Sequence, residues 1–127
     1  EIEIIFKSNH YDFVKADPQA LERIMNNLVD NAFKYSEKGS IIEISTITEY
    51  QHVKVMVSDS GVGVSDEDKS HIFDRFYRTA SARASDNKGS GLGLAIVKNL
   101  TNSLNGEVGV ESKNDAGSIF WFTLPIN

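Results

Sequence analysis

The chain has 127 residues, of which 40% are apolar and 24% charged, with a formal net charge of −5 and no cysteine. That length carries one domain, residues 1–127, with a real core, and the composition is that of a soluble globular domain. The acidic balance argues against nucleic-acid binding, the missing thiols exclude disulfides and zinc–thiolate sites, and no apolar run reaches the ~20 residues of a membrane-crossing helix.

No signal peptide opens the chain. It begins in a strand-like stretch, Glu1 to Phe6, without a methionine, so it reads as a fragment of a longer protein. Lys7 to Lys15 forms a polar connection. Asp17 then serves as N-cap with Pro18 at the first helical position. Leu21, Ile24, Met25, Leu28, Val29, Ala32 and Phe33 recur at helical spacing, and the helix fades near Ser36 to Gly39. Ser40 to Tyr50 is rich in Ile and Thr, and Val53 to Asp59 alternates with period two. The two form a hairpin across Gln51 and His52.

Gly61-Val62-Gly63 breaks the second strand, and Ser65 caps a short helix directed toward Phe73 and Phe76. From Tyr77 to Gly91 the composition turns to Arg, Ser, Ala, Asp, Asn and Gly. A loop of that length is more often functional than idle. Lys88-Gly89-Ser90-Gly91-Leu92-Gly93-Leu94 leads into the helical series Ala95, Ile96, Val97, Leu100 and Leu104, which stops at Gly106. Glu107 to Lys113 and Gly117 to Ile126 make a last hairpin. The expected architecture is a two-layer α/β (α+β) sandwich. Its mixed, mostly antiparallel sheet of about five strands is covered on one face by about three helices.

Several residue groups suit a phosphate ligand. Glycines alternating along Gly89, Gly91 and Gly93 allow close backbone approach, and the helix that follows turns its free amides and positive dipole end toward the loop. Asn27, Asn31 and Lys34 share one helix face. Asparagine is a mediocre helix former, so two in mid-helix suggest carbonyl oxygens holding Mg²⁺ beside substrate phosphates, with Lys34 meeting a phosphate. A solvated face is the alternative. Tyr35 could cover an adenine ring or simply pack at the rim.

Asp59 falls on the core-facing side of its strand, and a buried carboxylate is costly without partners. Either a glycine-turn amide or a nearby donor satisfies it, or it awaits a ligand such as an adenine amino group, which Gly61 and Gly63 would let approach. Ser118 shares a face with Phe120 and Phe122 and could reach the same pocket, or merely end a strand. Phe73 and Phe76 anchor their helix to the core, and Arg78 could pair with a terminal phosphate. His10, His52 and His71 lack a carboxylate spacing that suggests a metal or a relay.

In this order the motifs resemble the catalytic ATP-binding domain of sensor histidine kinases. Asn27 to Ser36 resembles that family's asparagine box, and Asp59-Ser-Gly61-Val-Gly63 its first glycine box. Phe73 to Arg78 resembles the phenylalanine box, Gly89 to Leu94 the second glycine box, and Gly117-Ser118-Ile-Phe the closing glycine motif. The resemblance runs from about Phe13 to Leu124. It implies a Bergerat-type sandwich with ATP held between the asparagine helix and a flexible lid over residues 77–91. Carried over by position, Asn31 is the Mg²⁺ ligand, Asn27 lies near the phosphates and Asp59 binds the adenine amino group. Lys34, Arg78 and the amides from Gly89 to Gly93 bind phosphates, with Tyr35, Tyr77, Gly61, Gly63, Lys88, Ser90, Gly91, Leu92, Leu94 and Ser118 completing the nucleotide site. Asn27, Asn31, Lys34 and Arg78 form the catalytic set.

The resemblance further implies transfer of the γ-phosphoryl group to a histidine on a separate dimerisation domain of the same parent protein, then relay to a response-regulator receiver aspartate. None of the three histidines here stands in such an acceptor motif. The fragment is expected to be monomeric and its parent a homodimer, with this domain cytoplasmic and the parent an inner-membrane sensor. Ser65 stands where a proline is usual, and Ser103-Leu104-Asn105 replaces a His-Gly-rich helix end. Neither touches a proposed ligand contact. ATP-hydrolysing relatives carry a glutamate one turn before the metal asparagine, where this chain has Asn27, which cannot act as a general base. A serine kinase on the same scaffold and a nucleotide-binding pseudokinase remain as alternatives.

Overall fold

The structure, a computed structural model, describes residues 3–8 as backbone and residues 17–36, 39–61, 63–77, 93–113 and 117–126. Five strands make one sheet: β1 (Glu3–Ser8), β2 (Ile41–Glu49), β3 (His52–Ser58), β4 (Glu107–Ser112) and β5 (Ser118–Pro125), in the spatial order β1-β2-β3-β5-β4. Three helices accompany it among the described residues: α1 (Pro18–Tyr35), α2 (Asp66–Lys69) and α3 (Gly93–Ser103). β1 pairs parallel with β2, and α1 lies in the connection between them. The other three pairings are antiparallel, which makes the sheet mixed and mostly antiparallel as expected.

Local chemistry sets the helix limits. The Asp17 carboxylate accepts from the Gln19 N–H at 3.0 Å, and Pro18 occupies the first turn, where a missing N–H costs nothing. α1 ends at Tyr35, where Ser36 turns extended. α3 ends at Ser103 rather than Gly106, because Asn105 takes the left-handed conformation (φ 65). The Gly106 N–H then bonds the Thr101 carbonyl at 2.9 Å and the Asn105 N–H the Asn102 carbonyl at 3.0 Å. This is a Schellman closure led by asparagine, which tolerates that backbone.

Ile24, Leu28 and Ala32 of α1 and Val97 of α3 pack on Ile42, Ile44, Val57, Phe120, Phe122 and Leu124 of the sheet, with Ile72 joining them. Each fully buried large side chain there contributes roughly 1.5–3 kcal/mol. β5 alternates buried and half-buried along its whole length, so one register serves the entire inner face. On the opposite face Trp121 lies across Gly109, with the Lys54 ammonium 4.7 Å from its ring centroid and 3.9 Å from Glu111.

Two local expectations shift. The β2–β3 turn uses Tyr50 and Gln51, with His52 already paired to Glu49, because Tyr50 itself adopts φ 54. The segment after Ser65 is helical for only one turn. Phe73 packs edge-on against Phe120 (centroids 6.4 Å apart), but Phe76 is 63% exposed at φ 65, and Ile72 takes the second anchoring position. Once the helix breaks, the i, i+3 spacing of Phe73 and Phe76 no longer shares a face.

Candidate functional site

The strand order places the end of β3 beside the start of β5, and the site begins there. The Asp59 N–H donates to the Ser118 carbonyl at 2.9 Å, extending the β3–β5 ladder by one step. Asp59 is buried at 1% exposure. Its Oδ1 accepts from the Gly61 N–H at 2.9 Å and its Oδ2 from the Ser118 hydroxyl at 3.1 Å. Of the two possibilities left open by the sequence, the glycine turn and a nearby donor thus already satisfy the carboxylate. Each oxygen keeps a further lone pair for a ligand donor. Ser118 is no idle strand end, since its hydroxyl is one of those donors. A Cβ built on Gly63 would stand 3.3 Å from the Gly117 carbonyl, so the first glycine turn and the β5 entry are in van der Waals contact.

A second group gathers where α1 meets α3. Asn27 donates its side-chain N–H to the Arg23 carbonyl at 2.9 Å. Its Oδ1 faces Gly93, the first residue of α3, at 3.2 Å from where a Cβ would lie. The asparagine helix is thereby set against the amide end of the glycine-led helix. Asn31, one turn on, has a buried side-chain Nδ2 without a hydrogen-bond partner among the described residues. A buried amide end left unmatched costs free energy. Its carbonyl oxygen is a donor type that Mg²⁺ accepts alongside phosphate and water, so the residues present fit the metal.

Lys34 is exposed in the last turn of α1. Tyr35 closes that helix, and its side chain lies outside the described residues. Leu94 packs its side chain against the core, which leaves only its backbone for a ligand. Arg78, Lys88, Gly89, Ser90, Gly91 and Leu92, and the lid from residue 78 onward, lie outside the described residues.

Tyr77, the first lid position, is half-buried. Its hydroxyl donates to the Asp68 carboxylate, and its ring stacks on His71 with centroids 5.4 Å apart. His71 in turn meets Asp74 Oδ2 through Nδ1 at 3.1 Å, an exposed contact. Sequence reading did not single out this i, i+3 surface pair, and no cluster of three metal-ligating side chains stands among the described residues. Sequence reading also missed Ser112 and Lys113 at the end of β4. The Ser112 hydroxyl donates to the Val64 carbonyl at 3.1 Å, and Lys113 Nζ donates to the Asp59 carbonyl at 3.3 Å. Nothing local signals these contacts, which join residues 48 and 54 positions apart.

Residues 16–127 match the sequence profile of the family described as histidine kinase-, DNA gyrase B-, and HSP90-like ATPase. The chain is 40% identical over 112 residues to the sensor-like histidine kinase SenX3 of Mycobacterium tuberculosis, an alignment spanning 88% of this chain and 27% of that protein. The structure resembles full-length ShkA in complex with AMPPNP, with a TM-score of 0.84 and 30% identity over 98% of this chain and 26% of that one. It also resembles the histidine kinase ThkA in complex with the response regulator protein TrrA, with a TM-score of 0.80 and 27% identity, covering 99% of this chain and 34% of the other.

Proposed function

From the premise that the chain belongs to the family of histidine kinase-, DNA gyrase B- and HSP90-like ATPases, we propose that it binds Mg-ATP and delivers the γ-phosphoryl group to a histidine on a separate dimerisation domain of its parent protein. The observation that carries the reading is the placement of Asn27 against Gly93, with the unmatched amide of Asn31 one turn further along. The base end is Asp59, whose carboxylate is aimed by Gly61 and Ser118 and accepts the adenine amino group through its remaining lone pairs.

In this arrangement Asn31 holds Mg²⁺, and Asn27, Lys34, Arg78 and the amides from Gly89 to Gly93 bind the phosphates. Tyr35 and Tyr77 border the nucleotide. Bound magnesium supplies charge neutralisation on the phosphate oxygens. The acceptor histidine's ring nitrogen forms the new N–P bond as the bond from the γ-phosphorus to the β,γ-bridging oxygen breaks, and ADP leaves. The phosphoryl group then passes to a receiver-domain aspartate of a response regulator. Asn27 stands where a hydrolytic relative would need a base, and a neutral amide cannot take a proton from water, which favours transfer over hydrolysis. The chain spans 27% of the length of SenX3, so the acceptor histidine, a homodimeric state and a membrane-bound sensor are assigned to the parent on this reading. No helix among the described residues is long and apolar enough to cross a membrane.

Two measurements test it. The parent, incubated with γ-labelled Mg-ATP, acquires label that acid removes and alkali spares, the behaviour of phosphohistidine. Acid-stable label, or free phosphate without label, refutes it. Asn31→Ala lowers Mg-ATP affinity at least about tenfold, roughly 1.4 kcal/mol. Unchanged affinity removes Asn31 from the site.

A further inference from the structure

The Asp59 turn is held through its main chain as well as through its carboxylate. Both main-chain groups of Asp59 are engaged. Its N–H goes to the Ser118 carbonyl at 2.9 Å, and its carbonyl accepts from Lys113 Nζ at 3.3 Å. Five residues on, the Val64 carbonyl accepts from the Ser112 hydroxyl at 3.1 Å. The last residue of β4 and the one after it therefore grip the turn from outside, at its first residue and just past Gly63. The Lys113 N–H also bonds the Gly117 carbonyl at 3.3 Å, which ties the same residue to the start of β5.

We propose that Lys113 is a positioning residue for base recognition, fixing the 59–60 peptide and with it the direction in which the Asp59 carboxylate faces the purine. The inference rests on the reading above, in which Asp59 binds the adenine amino group. Its physical content is leverage. The 59–60 peptide is joined through Ser60 to the peptide that carries the Gly61 N–H, which holds Oδ1 at 2.9 Å. A rotation of that peptide carries the Gly61 donor, and the carboxylate with it, away from the ladder position. The Ser118 bonds hold the N–H and Oδ2, and neither restrains the carbonyl. Lys113 is half-buried, so its ammonium contact is partly shielded from water, where a hydrogen bond from a charged donor is stronger than one between neutral groups. A lysine that merely neutralised a stray carbonyl would affect folding and leave ligand discrimination alone.

The test is a titration of the 127-residue chain with Mg-ATP and with the triphosphate of purine riboside, which lacks the exocyclic amino group. It is run on the wild type, Lys113→Met, Lys113→Arg and Asp59→Asn, with the melting temperature of each. Lys113→Met is expected to weaken ATP binding about fivefold to tenfold and to leave the analogue within about twofold, so the preference for ATP shrinks by the same factor; Lys113→Arg restores it. The proposal is overturned if Lys113→Met keeps the wild-type preference, if both nucleotides weaken equally alongside a fall in melting temperature, or if Lys113→Arg fails to restore the preference. If the wild type shows no preference, or Asp59→Asn does not reduce it, the base-reading role of Asp59 fails and the inference falls with it. Lys113→Met at wild-type preference, with Asp59→Asn impaired, removes only the role of Lys113.

Discussion

Replacing Gly117 with alanine tests the junction on which the base end of the site is built. Gly117 sits at φ +103, and a Cβ there would lie 2.1 Å from the Asp59 carbonyl oxygen and 2.8 Å from Ser60 Cα. Non-bonded heavy atoms settle at about 3.5 Å or more, so the overlap exceeds ~1 Å and both partners are backbone. No rotamer change relieves it. The left-handed backbone costs an alanine about 1–2 kcal/mol. Moving the Asp59 carbonyl away strains the Asp59–Ser118 and Lys113–Asp59 hydrogen bonds, each contributing about 1 kcal/mol. The expected destabilisation is therefore about 2–4 kcal/mol, a fall in melting temperature on the order of 10 °C, accompanied by loss of ATP binding.

Gly39→Ala is the matched control. Gly39 has φ +86 with no described residue within 4 Å of the added carbon, so it reports backbone strain, about 1–2 kcal/mol. Thermal unfolding by circular dichroism and an ATP titration on both variants separate the two terms. If Gly117→Ala costs no more than Gly39→Ala and binds ATP normally, the close packing of the glycine motif on Asp59 is not a requirement of the site.

Thr101 is fully buried, and its hydroxyl has no hydrogen-bond partner among the described residues. Thr101→Val keeps the shape and removes the unpaired group, so denaturant titration should show a gain of about 1–2 kcal/mol with ATP affinity unchanged; a loss of stability would mean that the hydroxyl is bonded. Among the described residues, the carbon added by Gly93→Ala pushes on the Asn27 side chain, whose oxygen lies 3.2 Å away. The substitution should leave the melting temperature within a few degrees while lowering Mg-ATP affinity about fivefold, roughly 1 kcal/mol. Wild-type affinity in that variant would separate the Asn27–Gly93 contact from nucleotide binding.

Much of the fold was legible because the signals are local. Asp17 and Pro18 start α1 through contacts within two residues, and the spacing of Ile24, Leu28 and Ala32 marks its buried face. The alternation through Ser118, Phe120, Phe122 and Leu124 is the burial pattern of β5 itself. The burial of Asp59 followed from the same period-two argument. The order of the motifs pointed to a family whose sequence profile the chain matches. Local reading failed at the helix that follows Ser65. Periodicity put Phe73 and Phe76 on one face, while the backbone left the helix after one turn and turned Phe76 to solvent.

The primary structure by itself thus determined the elements, their inward faces and the chemistry carried on them, since capping, periodicity and turn formation act within a few residues. Only the tertiary structure decided which strand ends meet. Setting β3 beside β5 joins Asp59 to Ser118 across 59 positions. The same order brings Lys113 to the Asp59 carbonyl, and packing of α1 on α3 sets Asn27 against Gly93. The cost of closing a loop grows only slowly with its length, so separation along the chain hardly distinguishes one pairing from another. The shared core beneath the sheet selects among them.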